Sequence, residues 1–219
     1  MKKLKLNKSF QSAQFTHEMS AWENDYLVIG ADEAGRGSLF GPVVAAAVIL
    51  KPFAKNRELK DSKLLSPQQR TEMYQWIKEN SSFSSQIINH RDIDKHNIYQ
   101  ASRIAMQRAV INLVHQFGAP PKLILTDAMP LKFDNILFSE VQVIHAPKGE
   151  YWSASIAAAS IVAKVTRDLL LDKLALINPC YNLSKNKGYG TTEHREMILK
   201  HGKSFLHRQT FNLKEEKHG

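Results

Sequence analysis

Short apolar runs rich in β-branched residues alternate along this chain with longer segments whose apolar residues recur every three or four positions. Residues 26–31 (YLVIGA) and 41–50 (GPVVAAAVIL) have the length and composition of buried strands. Little more than a Gly-rich turn, Gly35-Arg36-Gly37, separates them. A parallel crossover needs a dozen or more residues, so the two are expected to pair as antiparallel neighbours. Ser66-Pro67 opens a helix, with Ser66 as N-cap, Pro67 at the first helical position and Gln69 completing a capping box. Met73, Trp76 and Ile77 then share a face. Residues 85–89 predict a strand. From Asp92 a long helix is expected, with Ile98, Ala101, Ala105, Met106, Ala109, Val110, Leu113, Val114 and Phe117 at helical spacing, stopped by Gly118 and Pro120-Pro121. Residues 122–127 and 140–145 read as further strands, 153 to about 176 as a helix, and 192–201 as a last short helix. The first half of the 153–176 helix contains Ala154, Ala157, Ala158, Ala159 and Ala163, small enough for close approach to a sheet. Strands first, then strands alternating with helices, predict an α/β or α+β fold with helices packed on the sheet.

Composition narrows the class. The 219 residues are 43% apolar and 23% charged, ordinary for a globular chain of one domain. The single cysteine, Cys180, excludes an internal disulfide and a Cys-ligated zinc site, and suits a reducing, cytoplasmic setting. No apolar run approaches the roughly 20 residues of a membrane helix. The start MKKLKLNKSF is followed by polar QSAQFTHEMS, so no signal peptide is expected. Residues 1–25, with Lys2, Lys3, Lys5 and Lys8 ahead of any acid, read as a basic, partly ordered tail. Thirty Lys and Arg against 21 Asp and Glu leave a net charge of +9, which points to a polyanionic partner such as nucleic acid.

The chemistry is concentrated in Gly30-Ala-Asp32-Glu33-Ala-Gly35-Arg36-Gly37-Ser-Leu-Phe-Gly41. The third glycine falls one place late for a dinucleotide-binding loop, and a strand rather than a helix follows. Two carboxylates beside a phosphate would repel it unless a divalent cation lay between. Asp127 also ends an apolar strand, and with strand 26–31 central it is expected to approach Asp32. Carboxylates this close share protons or bind a hard cation, Mg²⁺ or Mn²⁺. Glu150 and Asp168 are the further acidic candidates; for Asp168 a helix-surface pair with Arg is the alternative. Arg36, Lys63, Lys148, Lys164, Lys185, Lys187 and Arg195 supply positive charge. Tyr189, between glycines, is expected to be exposed and free to stack on a base or sugar. Trp22, Trp76 and Trp152 read as packing residues. No zinc-hydrolase spacing and no nucleophile elbow occur.

These pieces resemble, in order, the ribonuclease HII family: GADEAGRGSLFGPV at 30–43, DSKLLS at 61–66, LTD at 125–127, PKGE at 147–150, SIAAASIVAKVTRD at 155–168 and KGYGTTEH at 187–194. The resemblance covers roughly residues 26–212. It implies a ribonuclease H-like fold, a central mixed β-sheet flanked by helices, with a C-terminal helical extension at about 180–213 and a tail at 214–219. It implies an endonuclease that cuts the RNA strand of RNA–DNA hybrids and incises 5′ to single ribonucleotides in duplex DNA, leaving 5′-phosphate and 3′-hydroxyl ends. Asp32, Glu33 and Asp127 match the family's first three catalytic, metal-binding acids. Glu150 stands where the family usually has Asp, one methylene longer. Two Mg²⁺ or Mn²⁺ ions are implied. Asp168 matches a supporting position. Gly35, Arg36 and Gly37 match the loop whose backbone reads the ribose 2′-hydroxyl, Tyr189 the residue that packs on the next deoxyribose, and Lys63 a phosphate contact. The related ribonuclease HIII carries an added N-terminal domain, for which the residues before the first strand are too few. A monomer is expected. A junction resolvase on the same fold, or a non-catalytic hybrid-binding module, would explain the acids or the charge but not both motif sets.

Overall fold

The computed structural model describes residues 13–213. One five-stranded sheet runs in the order β3-β2-β1-β4-β5. β1 (Val28–Ala34) and β2 (Val43–Leu50) pair antiparallel, as their short connection requires, and β3 (Ser81–Ile88) adds antiparallel to β2. β4 (Leu123–Asp127) lies parallel to β1 on its other side, and β5 (Gln142–Ala146) lies parallel to β4. The sheet is therefore mixed, with β1 at its centre.

Side-chain alternation divides the core into two layers. Ile29 and Ala31 of β1 and Val43, Ala45, Ala47 and Ile49 of β2 pack with Ala105, Met106, Ala109 and Leu113 of α4 (Ile98–Phe117). Ala34, Ala46, Val48 and Leu50 pack on the opposite face with α5 (Ala154–Leu176) and with Met73 and Ile77 of α2 (Pro67–Asn80). β2 is buried at every position, which is why it carries no polar residue.

α5 lies close against β1. A Cβ at Gly30 would fall 2.2 Å from the backbone carbon of Ser155, so a glycine is required there. The N-terminus of α5 is capped twice. Ser153 accepts from the Ile156 amide at 3.2 Å, and the Glu18 carboxylate accepts from the Ser153 hydroxyl at 2.7 Å and the Ser155 amide at 2.8 Å. Glu18 is buried and belongs to α1 (Thr16–Glu23). The stretch 13–25 is thus part of the fold, contrary to its reading as tail. A buried acid matched to a helix N-terminus holds it, and its polar composition hides that role. Residues 1–12, with the four lysines, and 214–219 lie outside the described residues.

The helix expected from Asp92 is two helices, α3 (His90–His96) and α4. Asn97 between them has φ 65° and caps α4 by accepting from the Gln100 amide. Gly118, left-handed at φ 81°, ends α4. After α5 come α6 (Leu183–Asn186) and α7 (Thr192–His201), and the chain then returns to the sheet side. Isolated bridges join Ser38 to Tyr189 and Phe40 to His207. No helix among the described residues is long and apolar enough to cross a membrane.

Candidate active site

Parallel pairing sets Ala31 opposite Thr126, so the next residues, Asp32 and Asp127, lie side by side on adjacent strands. Both point to the α5 face of the sheet by alternation with Ala31 and Thr126. Burial pushes the Asp32 carboxyl well above the usual carboxylate range, and the nearby charges of Glu33 and Asp127 push it further. Its own Oδ1 accepts from the Glu33 amide at 2.7 Å, and the Ser160 hydroxyl also favours its ionised form. Ser160 is held by Ser62 at 2.8 Å. Burial also raises Glu33, against the pull of Arg36, whose Nη1 lies 3.4 Å from Glu33 Oε1. Glu150 sits in a 3-10 turn (Gly149–Tyr151) directly before α5 and is buried; burial raises it, with Asp127 and Asp61 adding to the effect.

The four acids are drawn to one place but not closed around a centre. Asp127 Oδ1 accepts from the Gly149 amide at 3.0 Å. Among the described residues no three Asp, Glu, His or Cys side chains already form a metal-holding group. Glu33 Oε2 and Glu150 Oε2 are buried without a hydrogen-bond partner among the described residues. Neighbouring carboxylates repel, and Asp32 and Asp127 each turn an oxygen to a nearby amide, while Glu33 turns one to Arg36.

Lys63 is exposed in the 3-10 turn Ser62–Leu64, which Asp61 caps. Burial pulls its ammonium down, but Asp61, Asp32, Glu150 and Asp127 together hold it above its ordinary value. Lys63 thus stands over the acidic group. Asp168 does not join the acids. It pairs with Lys164 at 2.7 Å and with Arg70 at 3.7 Å. The Asp–Arg pair expected as the alternative is present only as the longer contact to Arg70 of α2, and the nearer partner is Lys164 of the same helix.

The turn Gly35–Gly37 and Tyr189 meet beside the acids. Gly35 has φ +94°, and a Cβ there would fall 2.0 Å from Arg167 Nε, whereas nothing lies within 4 Å of a Cβ at Gly37. Tyr189 is half-buried, not exposed as expected. The bridge to Ser38 fixes its backbone, and Lys164 and Arg167 lie 5.4 and 5.3 Å from its ring centre. Several candidate cations are already paired or bonded inside the molecule: Lys187 with Asp172, Lys185 with Glu193 and Arg195 with the Gly190 carbonyl.

Two fully buried arginines were not singled out from the sequence. Arg167 donates to the carbonyls of Pro42, Lys187 and Phe40 and to the Ser38 hydroxyl. Arg208 donates to the carbonyls of Gly41, Arg36 and Gly35 at 2.9, 2.9 and 2.7 Å. A signal existed for Arg167, which continues the four-residue spacing of Ala159, Ala163, Leu171 and Ala175 on the buried face of α5. None existed for Arg208, in a polar stretch without periodicity.

The chain is similar to known proteins over most of its length. A family model described as Ribonuclease HII matches residues 29–214. A ribonuclease HII of Rickettsia typhi is 46% identical over 190 residues, which is 87% of this chain and 93% of that protein. The crystal structure of a ribonuclease H2 from Pyrococcus horikoshii superposes with TM-score 0.65 at 25% identity, over 85% of this chain and 94% of the other. Bst ribonuclease HIII in complex with Mn²⁺ superposes with TM-score 0.59 at 21% identity, over 86% of this chain and 68% of the other. The chain therefore belongs to the ribonuclease HII family, endoribonucleases that act on RNA–DNA hybrids.

Proposed function

We propose that, besides cutting the RNA strand of hybrids, the chain incises duplex DNA 5′ to single embedded ribonucleotides. The reaction is divalent-metal-dependent phosphodiester hydrolysis that leaves 5′-phosphate and 3′-hydroxyl ends. The observation that carries it is the alignment of Asp32 and Asp127 on adjacent parallel strands, beside Glu33 and Glu150, each with a buried, unpartnered oxygen. Such oxygens are costly to bury alone, and a hard cation with oxygen ligands relieves the cost. Asp32, Glu33, Asp127 and Glu150 would hold Mg²⁺ or Mn²⁺, and four carboxylates suit two ions. The Mn²⁺ bound to the ribonuclease HIII neighbour supports the class of ion. When bound, the metal supplies a reactive water at neutral pH and offsets charge that builds on the phosphorus oxygens.

The chain's own residues do the rest. Lys63, beside the acids, neutralises a substrate phosphate. The open backbone at Gly37 lets the 35–37 turn approach a ribose 2′-hydroxyl, the group that separates RNA from DNA. Arg36, exposed, steers the backbone of the nucleic acid, and Tyr189 packs on the deoxyribose beyond the junction. Asp168 acts indirectly, by fixing Lys164 beside the Tyr189 ring. One chain carries the whole set, so a monomer suffices.

The site assignment is tested on a labelled RNA–DNA hybrid with Mg²⁺, Mn²⁺ or EDTA. Cutting should vanish in EDTA, and Asp127→Asn should lose about a thousandfold in rate while keeping its circular dichroism. Undiminished cutting in EDTA, or by Asp127→Asn, would overturn the assignment.

A further inference from the structure

Two consecutive residues of the C-terminal segment reach both elements assigned above to sugar reading. Arg208 holds the carbonyls of Gly35 and Arg36 inward, which orients the peptide planes of the turn. Its guanidinium is fully buried with no salt-bridge partner among the described residues, and burial, then Arg167, lowers it to about 9. A planar fork that spans three carbonyls is a task no lysine performs.

His207 works through a second imidazole. Its Nδ1 accepts from the Ser204 amide at 2.9 Å, so the ring proton sits on Nε2. His207 Nε2 lies 3.2 Å from His194 Nε2, and His194 Nδ1 lies 2.9 Å from the Tyr189 carbonyl. A carbonyl only accepts, so His194 carries its proton on Nδ1 and accepts from His207 on Nε2. The hydrogen bonds therefore run in one direction, from Ser204 through His207 and His194 to Tyr189, and only with both rings neutral. Both imidazoles are fully buried. Burial lowers His207 to about 4, with His194 and Lys203 adding to it, and burial and Arg195 lower His194. The rings of Phe40, 4.9 Å from His207, and Tyr181, 4.7 Å away, pack on it, and no carboxylate among the described residues shifts either imidazole.

We propose that His207 and Arg208 are positioning residues of the substrate-reading surface, Arg208 for the Gly35–Gly37 turn and His207, through His194, for Tyr189. This rests on the reading that the turn and Tyr189 contact substrate. The relay itself is independent of that reading and is tested first, by NMR of the wild-type chain. Near pH 7 His194 should show the Nδ1–H tautomer and His207 the Nε2–H tautomer. On acidification the Tyr189 carbonyl ¹³C shift should follow the protonation of His207. Opposite tautomers, a charged ring near neutral pH, or a Tyr189 shift indifferent to His207 would overturn the relay.

The functional part is read from steady-state kinetics on a long RNA–DNA hybrid. His207→Phe keeps an aromatic ring against Phe40 and Tyr181 but donates nothing, and Arg208→Lys keeps the charge but not the fork. Each should raise KM about tenfold, the scale of one lost hydrogen bond, with kcat changed less than about threefold because the acids are untouched. His207→Gln, which can both accept and donate, should recover part of the loss. Folded variants with unchanged KM would overturn the positioning role while leaving the proposed function standing. Loss of kcat alone would overturn it as well. If the phenylalanine and lysine variants fail to fold, His207→Gln and the NMR titration decide.

Discussion

Asp32 concentrates the conflict between folding and chemistry. Its folded-state pKa is raised above the unfolded value, first by burial and then by Glu33 and Asp127. A carboxylate raised in this way costs stability when ionised. The cost is absent below the unfolded value and is complete only once pH has risen through the raised value. Asp32→Asn keeps an oxygen to accept from the Glu33 amide and drops the charge. In metal-free protein, at a pH above that raised value, it should raise Tm by about 2–4 °C for each kcal/mol relieved, while abolishing cleavage. Thermal melts beside a hybrid-cutting assay check both, and a lower Tm would contradict the reading. The two glycines of the turn separate in the same manner. Gly37→Val meets open space and should melt within about 1–2 °C of wild type while losing about a hundredfold in activity. Gly35→Ala meets the Arg167 guanidinium at a positive φ and should cost about 2 kcal/mol or more of stability. Equal melting losses in the two variants would contradict the distinction.

At the scale of elements, the N-terminus of α5 is the junction on which the site depends. It abuts β1 at Gly30, follows Glu150 by a few residues and is capped by Glu18 from α1. Glu18→Ala removes a buried acceptor from two donors and should destabilise the chain by about 1–2 kcal/mol, read in urea unfolding. An unchanged midpoint would mean that α1 is not integral to the fold. Much of this architecture was legible in the sequence. The unbroken apolar character of 43–50, the capping box at Ser66 and the small-residue face of α5 each follow from local rules, and all appear in the structure. The pairing of Asp32 with Asp127 was legible because both end apolar strands. What was not legible depended on contacts distant in sequence. Glu18 lies 135 residues from Ser153, and Arg208 lies 173 from Gly35. Neither polar stretch carries a period that marks it as buried. Asn97 broke the predicted long helix by a left-handed backbone and a side-chain cap, which apolar spacing does not register.

Across the whole molecule, charge and metal act together. The chain as a whole carries a net charge of +9 while its candidate site is acidic, so nucleic acid is attracted overall and, on the proposed function, a cation must offset the acids before a phosphate approaches. Mn²⁺ at about a hundred times its dissociation constant should stabilise the fold by about 2.7 kcal/mol. Because Asp32, Glu33 and Glu150 are all raised, protons compete with the metal at a pH above the ordinary carboxylate range. The metal-induced rise in Tm should therefore shrink as pH falls below neutral, and a scan of melting temperature with and without Mn²⁺ across that range checks it. A rise that grew with acidity would contradict the assignment of these acids as ligands. The most direct measurement is cleavage of an end-labelled DNA duplex carrying one ribonucleotide, with Mg²⁺ or Mn²⁺, beside the same duplex in all-DNA form. A single cut on the 5′ side of the ribonucleotide, absent in EDTA and absent from the all-DNA duplex, is the predicted result. An intact ribonucleotide-containing strand, from enzyme that cuts a long hybrid under the same conditions, would contradict it.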